Sequence, residues 1–200
     1  MSKTVCLITG EGSESGTGAA SARRFSAGSY NVAMLGRTID RLKHLENVIP
    51  GSKAYLCHVG DLEQLKVTIA QAKAGLGAPS VAMHNAALGR PLKPTLEADP
   101  VLFERMFRVN ATALMVLVQS VVPDMITSGD GVVIATGATA AWRGKPNHAM
   151  FPPTKAAQRI LAEAMARDFG PKGVHVAYVT IDAAIDTPNT RPQNHLDKPD

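Results

Sequence analysis

Thr4-Val-Cys-Leu-Ile-Thr-Gly-Glu-Gly-Ser-Glu-Ser-Gly-Thr-Gly18 sets a short apolar run against a cluster of glycines. Thr4–Thr9 is β-prone and reads as a buried strand. Gly10, Gly12, Gly16 and Gly18 read as a turn that needs close backbone approach, and the Ala-rich segment through Phe25 as a helix. In such a turn, loop N–H groups and the next helix N-terminus can face a pyrophosphate. The plainer reading is a tight strand-to-helix turn that holds no ligand.

The alternation continues outward from this unit. Tyr30–Gly36 reads as a strand, Arg37–Val48 as a charged amphipathic helix and Lys53–His58 as a third strand. Leu62–Leu76 is a helix with Leu65, Ile69 and Ala72 on one side, and Ser80–His84 a strand ending in Asn85-Ala-Ala87. Pro91–Pro100 is loop with room for one short helix, and a long helix runs from about Val101 to Ile126. Gly131–Thr136 leaves the turn Ser128-Gly-Asp-Gly131 as a fifth strand. The helix opened by Pro152-Pro153 has an apolar face of Ala156, Ala157, Ile160, Leu161, Ala164 and Met165 and closes at Gly170-Pro171. Val174–Ile181 is the sixth strand.

Strands and helices at this spacing predict right-handed βαβ crossovers. The expected fold class is α/β: a doubly wound, Rossmann-type parallel sheet with helices on both faces and strand order 3-2-1-4-5-6. The strands are near-continuous apolar runs, as two-sided burial requires. No repeat, low-complexity segment or linker interrupts the pattern, so one domain over residues 1–200 is expected.

With 200 residues, 45% of them hydrophobic, the chain can build a substantial core. Met1-Ser-Lys-Thr runs straight into Val5-Cys-Leu-Ile8, which leaves no room for a signal peptide. The longest apolar stretch, Ala111 to Val118, is far short of the ~20 residues of a membrane helix. A net charge of +4, without a basic run interleaved with aromatics, argues against nucleic-acid binding. Cys6 and Cys57 fall in strands that the expected order separates by roughly 9–10 Å, too far for a disulfide. They read as buried thiols in a reducing cytosol, so the expected location is cytoplasmic. The histidines and cysteines show no metal-ligand spacing.

The stretch from the fifth strand to Phe169 resembles the short-chain dehydrogenase/reductase family. That family carries a Ser after this strand, a Tyr thirteen residues on and a Lys four residues after the Tyr. Lys155 fits the Lys, and Asn110 in Arg108-Val-Asn-Ala-Thr112 resembles the family's fourth catalytic residue. The Ser position falls on Ala138 and the Tyr position on Phe151, so two hydroxyls are missing. The likeness is to an atypical branch with Phe for Tyr, a retained Lys and an incomplete glycine motif. Five residues, Glu11 to Ser15, separate Thr9-Gly10 from Gly16-Thr17-Gly18, where the family has three. Glu11 and Glu14 put negative charge where a phosphate would lie. The family's seventh strand has no counterpart before Asp200, which implies a shortened or truncated end.

The resemblance implies a nicotinamide dinucleotide held by Gly10, Gly12, Gly16 and Gly18, with Asp61 towards the adenine and Asn85 supporting sheet and cofactor. It also implies Lys155 on the ribose and Thr187 on the nicotinamide side. Gly36-Arg37 lacks the carboxylate that reads a ribose 2′-OH and offers a cation for a 2′-phosphate, so NADP(H) is expected over NAD(H). Asp61 is also placed to be a helix N-cap. Without Tyr and Ser a general acid, worth about 10²–10⁴-fold, and an oxyanion donor, worth about 10²–10³-fold, are lost. His148 is a candidate substitute acid, with Thr136, Thr139 and Thr154 nearby, and Trp142, Met150 and Phe151 would line an apolar pocket. Two readings stand: an NADP(H)-dependent oxidoreductase acting on a small molecule, and a cofactor-binding regulatory or scaffold protein without turnover. The long helix is apolar nearly all round, and relatives pair it and the Lys155 helix across a dimer interface. A homo-oligomer, dimer or tetramer, is therefore expected, with packing under the chain's own loops as the alternative.

Overall fold

The computed structural model describes residues 4–89, 92–188 and 190. Pro91 and, Thr190 apart, the polar tail from Asn189 lie outside the described residues. Six strands, β1 (Val5–Thr9), β2 (Asn31–Gly36), β3 (Ser52–Leu56), β4 (Pro79–His84), β5 (Gly131–Ala138) and β6 (Val174–Ile181), form one parallel sheet in the order β3-β2-β1-β4-β5-β6. The expected order is the observed one. β1 is flanked by β2 and β4, with Leu7 opposite Ala33 on one side and Ala82 on the other. The order reverses at this central strand, so a crevice opens beyond the C-terminal ends of β1 and β4.

Helices α1 (Thr17–Ala27) and α2 (Ile39–Val48) cover one face. Ala19, Ala22, Leu42 and Leu45 pack there on Cys6, Ile8, Val32 and Met34. Helices α3 (Leu62–Leu76), α4 (Pro100–Phe107), α5 (Ala113–Ser128) and α6 (Phe151–Phe169) follow, and α3, α5 and α6 cover the other face. Two-sided burial holds for β1 and β2 but not throughout. β5 alternates buried and half-buried residues, and His175 and Val179 on β6 are exposed, so these two strands keep one face open.

The long helix is not uniform. Arg108–Thr112 forms a π-helical turn between α4 and α5. A π turn inserts one residue into the helical ladder and re-aims those that follow; nothing in the apolar pattern signals it. The surplus apolar surface is mostly covered within the chain. Leu114, Leu117 and Val121 are fully buried, whereas Phe107 and Met115 remain 40% and 42% exposed. Read as one element, Pro100–Ser128 is long and apolar enough to span a membrane by length and composition, which corrects the expectation drawn from Ala111–Val118 alone. Here it lies within the fold, with 61% of its most apolar window buried. Cys6 and Cys57 are buried free thiols on non-neighbouring parts of the sheet, Cys57 one residue beyond β3.

Candidate functional site

At the C-terminal ends of β1, β2 and β4 lies a cleft of about 390 Å³. Gly10, Gly12, Gly16, Arg37, Asn85 and Thr187, all expected at a cofactor, line it. Gly10 has φ of 84°, and a Cβ there would lie 2.4 Å from the Ala86 backbone. Only glycine serves, because it has neither a side-chain clash nor a penalty at positive φ. Asn85 Nδ2 donates to the Gly10 carbonyl at 3.1 Å and ties the end of β4 to the loop. Gly18 does not line the cleft. It packs under the loop, where a Cβ would meet a Glu11 carboxyl oxygen at 2.8 Å.

The lengthened loop folds back on β2. Gly10 and Glu11 N–H groups both donate to the Leu35 carbonyl, and a Cβ on Gly36 would lie 2.4 Å from the Glu11 carbonyl oxygen. Gly36 is therefore a glycine for a packing reason, and no carboxylate could stand there while the loop keeps this path. Arg37 and, one turn into α2, Arg41 line the rim of the cleft, as do Arg105 and Arg108 from the α4 side. None of these four guanidinium groups has a hydrogen bond or ion pair among the described residues.

The two loop carboxylates behave differently. Glu14 turns outward to Arg23, at 3.1 Å, and His44, at 3.4 Å. Glu11 is only 4% exposed, and neither carboxyl oxygen has a hydrogen-bond partner. Burial pushes its pKa up to about 7, offset in part by Arg23. Asp61 does not line the cleft. Its Oδ1 accepts the Gln64 N–H at 3.0 Å, so it is the N-cap of α3.

Behind the cleft lies a buried polar network. Asn110, held in the π turn, accepts the Leu88 N–H at 2.8 Å and donates to Thr154 Oγ1 at 2.9 Å. Lys155 points inward, with Nζ donating to the Thr136 carbonyl at 2.8 Å and to Gln158 Oε1 at 2.9 Å. Burial lowers the Lys155 pKa to about 8. His84 Nε2–H donates to the Val109 carbonyl, and its Nδ1 accepts from the Thr9 hydroxyl at 3.1 Å. Burial first, then the Lys155 charge, hold it to about 3, so it is neutral. His84, Gln158 and the burial of Glu11 were missed in the sequence; no local motif marks a strand-end His or a buried Gln.

A second cavity of about 320 Å³ opens at the ends of β5 and β6. Ala138, Phe151 and His148 line it together, bringing both hydroxyl-less positions to one space. Lys155 Nζ is 5.8 Å from the Phe151 ring centroid, one turn along α6. Trp142 and Met150 do not line it: Trp142 is 61% exposed under the Arg159 guanidinium, and Met150 is buried. Thr139 does, its Oγ1 donating to Asp182 at 2.9 Å. His148 Nδ1 faces the Pro146 carbonyl at 2.9 Å. A carbonyl only accepts, so Nδ1 carries a proton and only Nε2 is left to face a substrate.

The family described as short chain dehydrogenase matches residues 4–197. The chain belongs to that family. It is 29% identical over 184 residues to an uncharacterised short-chain type dehydrogenase/reductase of Sinorhizobium fredii, covering 87% of this chain and 71% of that protein. It is 30% identical over 171 residues to L-xylulose reductase of Bos taurus, covering 85% and 67%. Among solved structures, NAD+-bound xylitol dehydrogenase superposes with a TM-score of 0.88 at 24% identity, over 98% of this chain and 76% of that one. A metagenomic short-chain oxidoreductase in complex with NADP gives 0.84 at 22%, over 92% and 84%. One of these neighbours carries NAD+ and the other NADP.

Proposed function

We propose that the chain is an NADP(H)-binding short-chain oxidoreductase with a degenerate proton-donor site. The observation that carries this reading is the pairing of a glycine-built cleft with Arg37 and Arg41 on its rim, both without a hydrogen-bond or ion-pair partner among the described residues. Gly10, Gly12 and Gly16 would hold the pyrophosphate, Arg37 and Arg41 the 2′-phosphate, Asn85 the loop, and Thr187 the nicotinamide end. Gly18 and Asp61 support the loop and α3 from behind. When bound, the cofactor supplies or accepts a hydride. In the second cavity Ala138 and Phe151 can neither donate to nor polarise a carbonyl oxygen. Asn110 and Lys155 then serve as positioning groups, with Lys155 turning from Gln158 to the ribose.

Calorimetric titration of NADPH and NADH tests this reading. NADPH is expected to bind at least about tenfold more tightly, and Arg37→Glu to remove that difference while sparing NADH. Equal affinities in the wild type would withdraw Arg37, and no heat with either cofactor would withdraw the reading. A second reading, cofactor binding without turnover, is favoured by the absence of a hydroxyl at both Ala138 and Phe151. Val101, Phe107, Met115 and Ile126, with the half-exposed Ile160 on α6, offer exposed apolar surface for a homo-oligomer, which sedimentation at two concentrations would detect.

A further inference from the structure

The cavity beside Ala138 and Phe151 has a charge that its own structure does not use. Arg143 and Lys145 both line it, two residues apart on the loop between β5 and α6. Neither side chain makes a hydrogen bond or ion pair among the described residues. The loop that carries them is nevertheless built. The His148 N–H donates to the Lys145 carbonyl at 3.2 Å and the Lys93 N–H to the Asn147 carbonyl at 2.9 Å. Asn147 in the same loop takes the left-handed conformation, with φ of 61°. One carboxylate, Asp182, shares the space, and the Thr139 hydroxyl already engages one of its oxygens. Two cations thus line one cavity, and Asp182, half engaged by Thr139, is the one carboxylate among its lining residues.

We infer that this cavity takes an anionic carbonyl compound, with Arg143 and Lys145 binding its carboxylate or phosphate. The inference rests on reading this cavity as the family's substrate side and deepens that reading by naming a substrate class. Arg143 can bind either group through two parallel N–H bonds, and Lys145 adds a mobile point charge. A cavity of about 320 Å³ admits a small metabolite rather than a polymer. A neutral polyol or sugar would leave both cations solvated and gain nothing from them.

The chain's only tryptophan, Trp142, precedes Arg143 and reports binding without turnover. Its fluorescence would be followed while acetoacetate, methyl acetoacetate, dihydroxyacetone phosphate or dihydroxyacetone is titrated in, with and without NADP+. Each anion is expected to bind at least about tenfold more tightly than its neutral partner and to weaken as salt is added. The larger of the two differences tells whether carboxylate or phosphate is preferred. Arg143→Gln with Lys145→Gln should erase the difference and leave NADP+ binding, measured by calorimetry, unchanged. Neutral partners binding as tightly as the anions would overturn the inference, as would anions binding the double variant equally well. A Trp142 signal and a calorimetric baseline both unmoved by millimolar anion would overturn it too. Loss of NADP+ binding in the wild type would instead strike the reading on which the inference rests.

Discussion

Glu11 is the residue whose position most departs from what its neighbourhood would suggest. It lies in the glycine loop, yet its carboxyl is buried beside Gly18 and the Asn85 amide with no hydrogen-bond partner. The titratable groups that face it are the charged Arg23 on α1 and, on β1, the Cys6 thiol, which burial keeps protonated. Its pKa in the folded chain, about 7, exceeds the ordinary 4.5. The folded state therefore holds a proton that the unfolded state releases. The resulting stability is complete below about pH 4.5 and is lost as pH rises through 7. Glu11→Gln should flatten this slope and add up to about 3 kcal/mol at alkaline pH. Urea melts of both proteins at about pH 5 and about pH 8 would check it, and identical slopes would mean that the carboxyl is solvated. A charged Glu11 also opposes a pyrophosphate, so NADPH affinity should fall as pH rises through about 7, where the folded chain's carboxyl ionises, in the wild type and not in Glu11→Gln. Lys155 poses the complementary question, because its ammonium is satisfied by Thr136 and Gln158 rather than aimed into the cleft. Lys155→Met should cost about tenfold in NADPH affinity while the melting temperature moves little, since an apolar side chain of similar length replaces a buried charge. Unchanged affinity would leave Lys155 a purely structural residue.

The π turn at Arg108–Thr112 is the element that makes the interior of the site. By re-aiming Asn110 it lets one side chain bridge Leu88 in the loop after β4 and Thr154 on α6. Thr154 Oγ1 in turn donates to the Phe151 carbonyl at 2.8 Å, which ties the first turn of α6 to the same network. Asn110→Ala would strand the half-buried Leu88 N–H and leave the buried Thr154 hydroxyl without its donor. A loss of about 2 kcal/mol is expected in urea unfolding, the usual cost of orphaning buried polar groups. A change within about 0.5 kcal/mol would show that water restores these bonds. None of this could be read from the apolar pattern, which is continuous through the π turn. Other elements were legible because local chemistry alone decides them. Leu62–Leu76 and Val174–Ile181 have their expected bounds, set by the Asp61 cap and by the glycines at 77 and 173. β5 runs two residues beyond Thr136 because β6 pairs with it as far as Ala138 opposite Ile181, a partner that a local reading does not see.

Across the whole molecule the sheet order was legible because alternating apolar strands and amphipathic helices admit few right-handed arrangements. The cleft was legible only as a set of glycines. That the loop insertion would occupy the space above Gly36, and so dictate the glycine, needed the packing. The second cavity was legible as two absences, Ala138 and Phe151, and the structure adds that both line one space beside a loop bearing Arg143 and Lys145. That convergence sets the test of whether the scaffold still supports reduction. Ala138→Ser with Phe151→Tyr would place two hydroxyls on the wall of one cavity, the Tyr one helical turn from Lys155. The wild type is expected to show little carbonyl reductase activity with NADPH on diketones or quinones. The double variant should gain about 10²-fold or more, and each single variant much less, because both hydroxyls would serve one oxygen. Wild-type turnover that survives Phe151→Ala but disappears with His148→Ala would make His148 the acid instead, acting as an imidazolium through Nε2. A double variant that binds NADPH tightly and remains inert would leave the cofactor-binding reading in place without catalysis, since the missing hydroxyls would then not be what the cavity lacks.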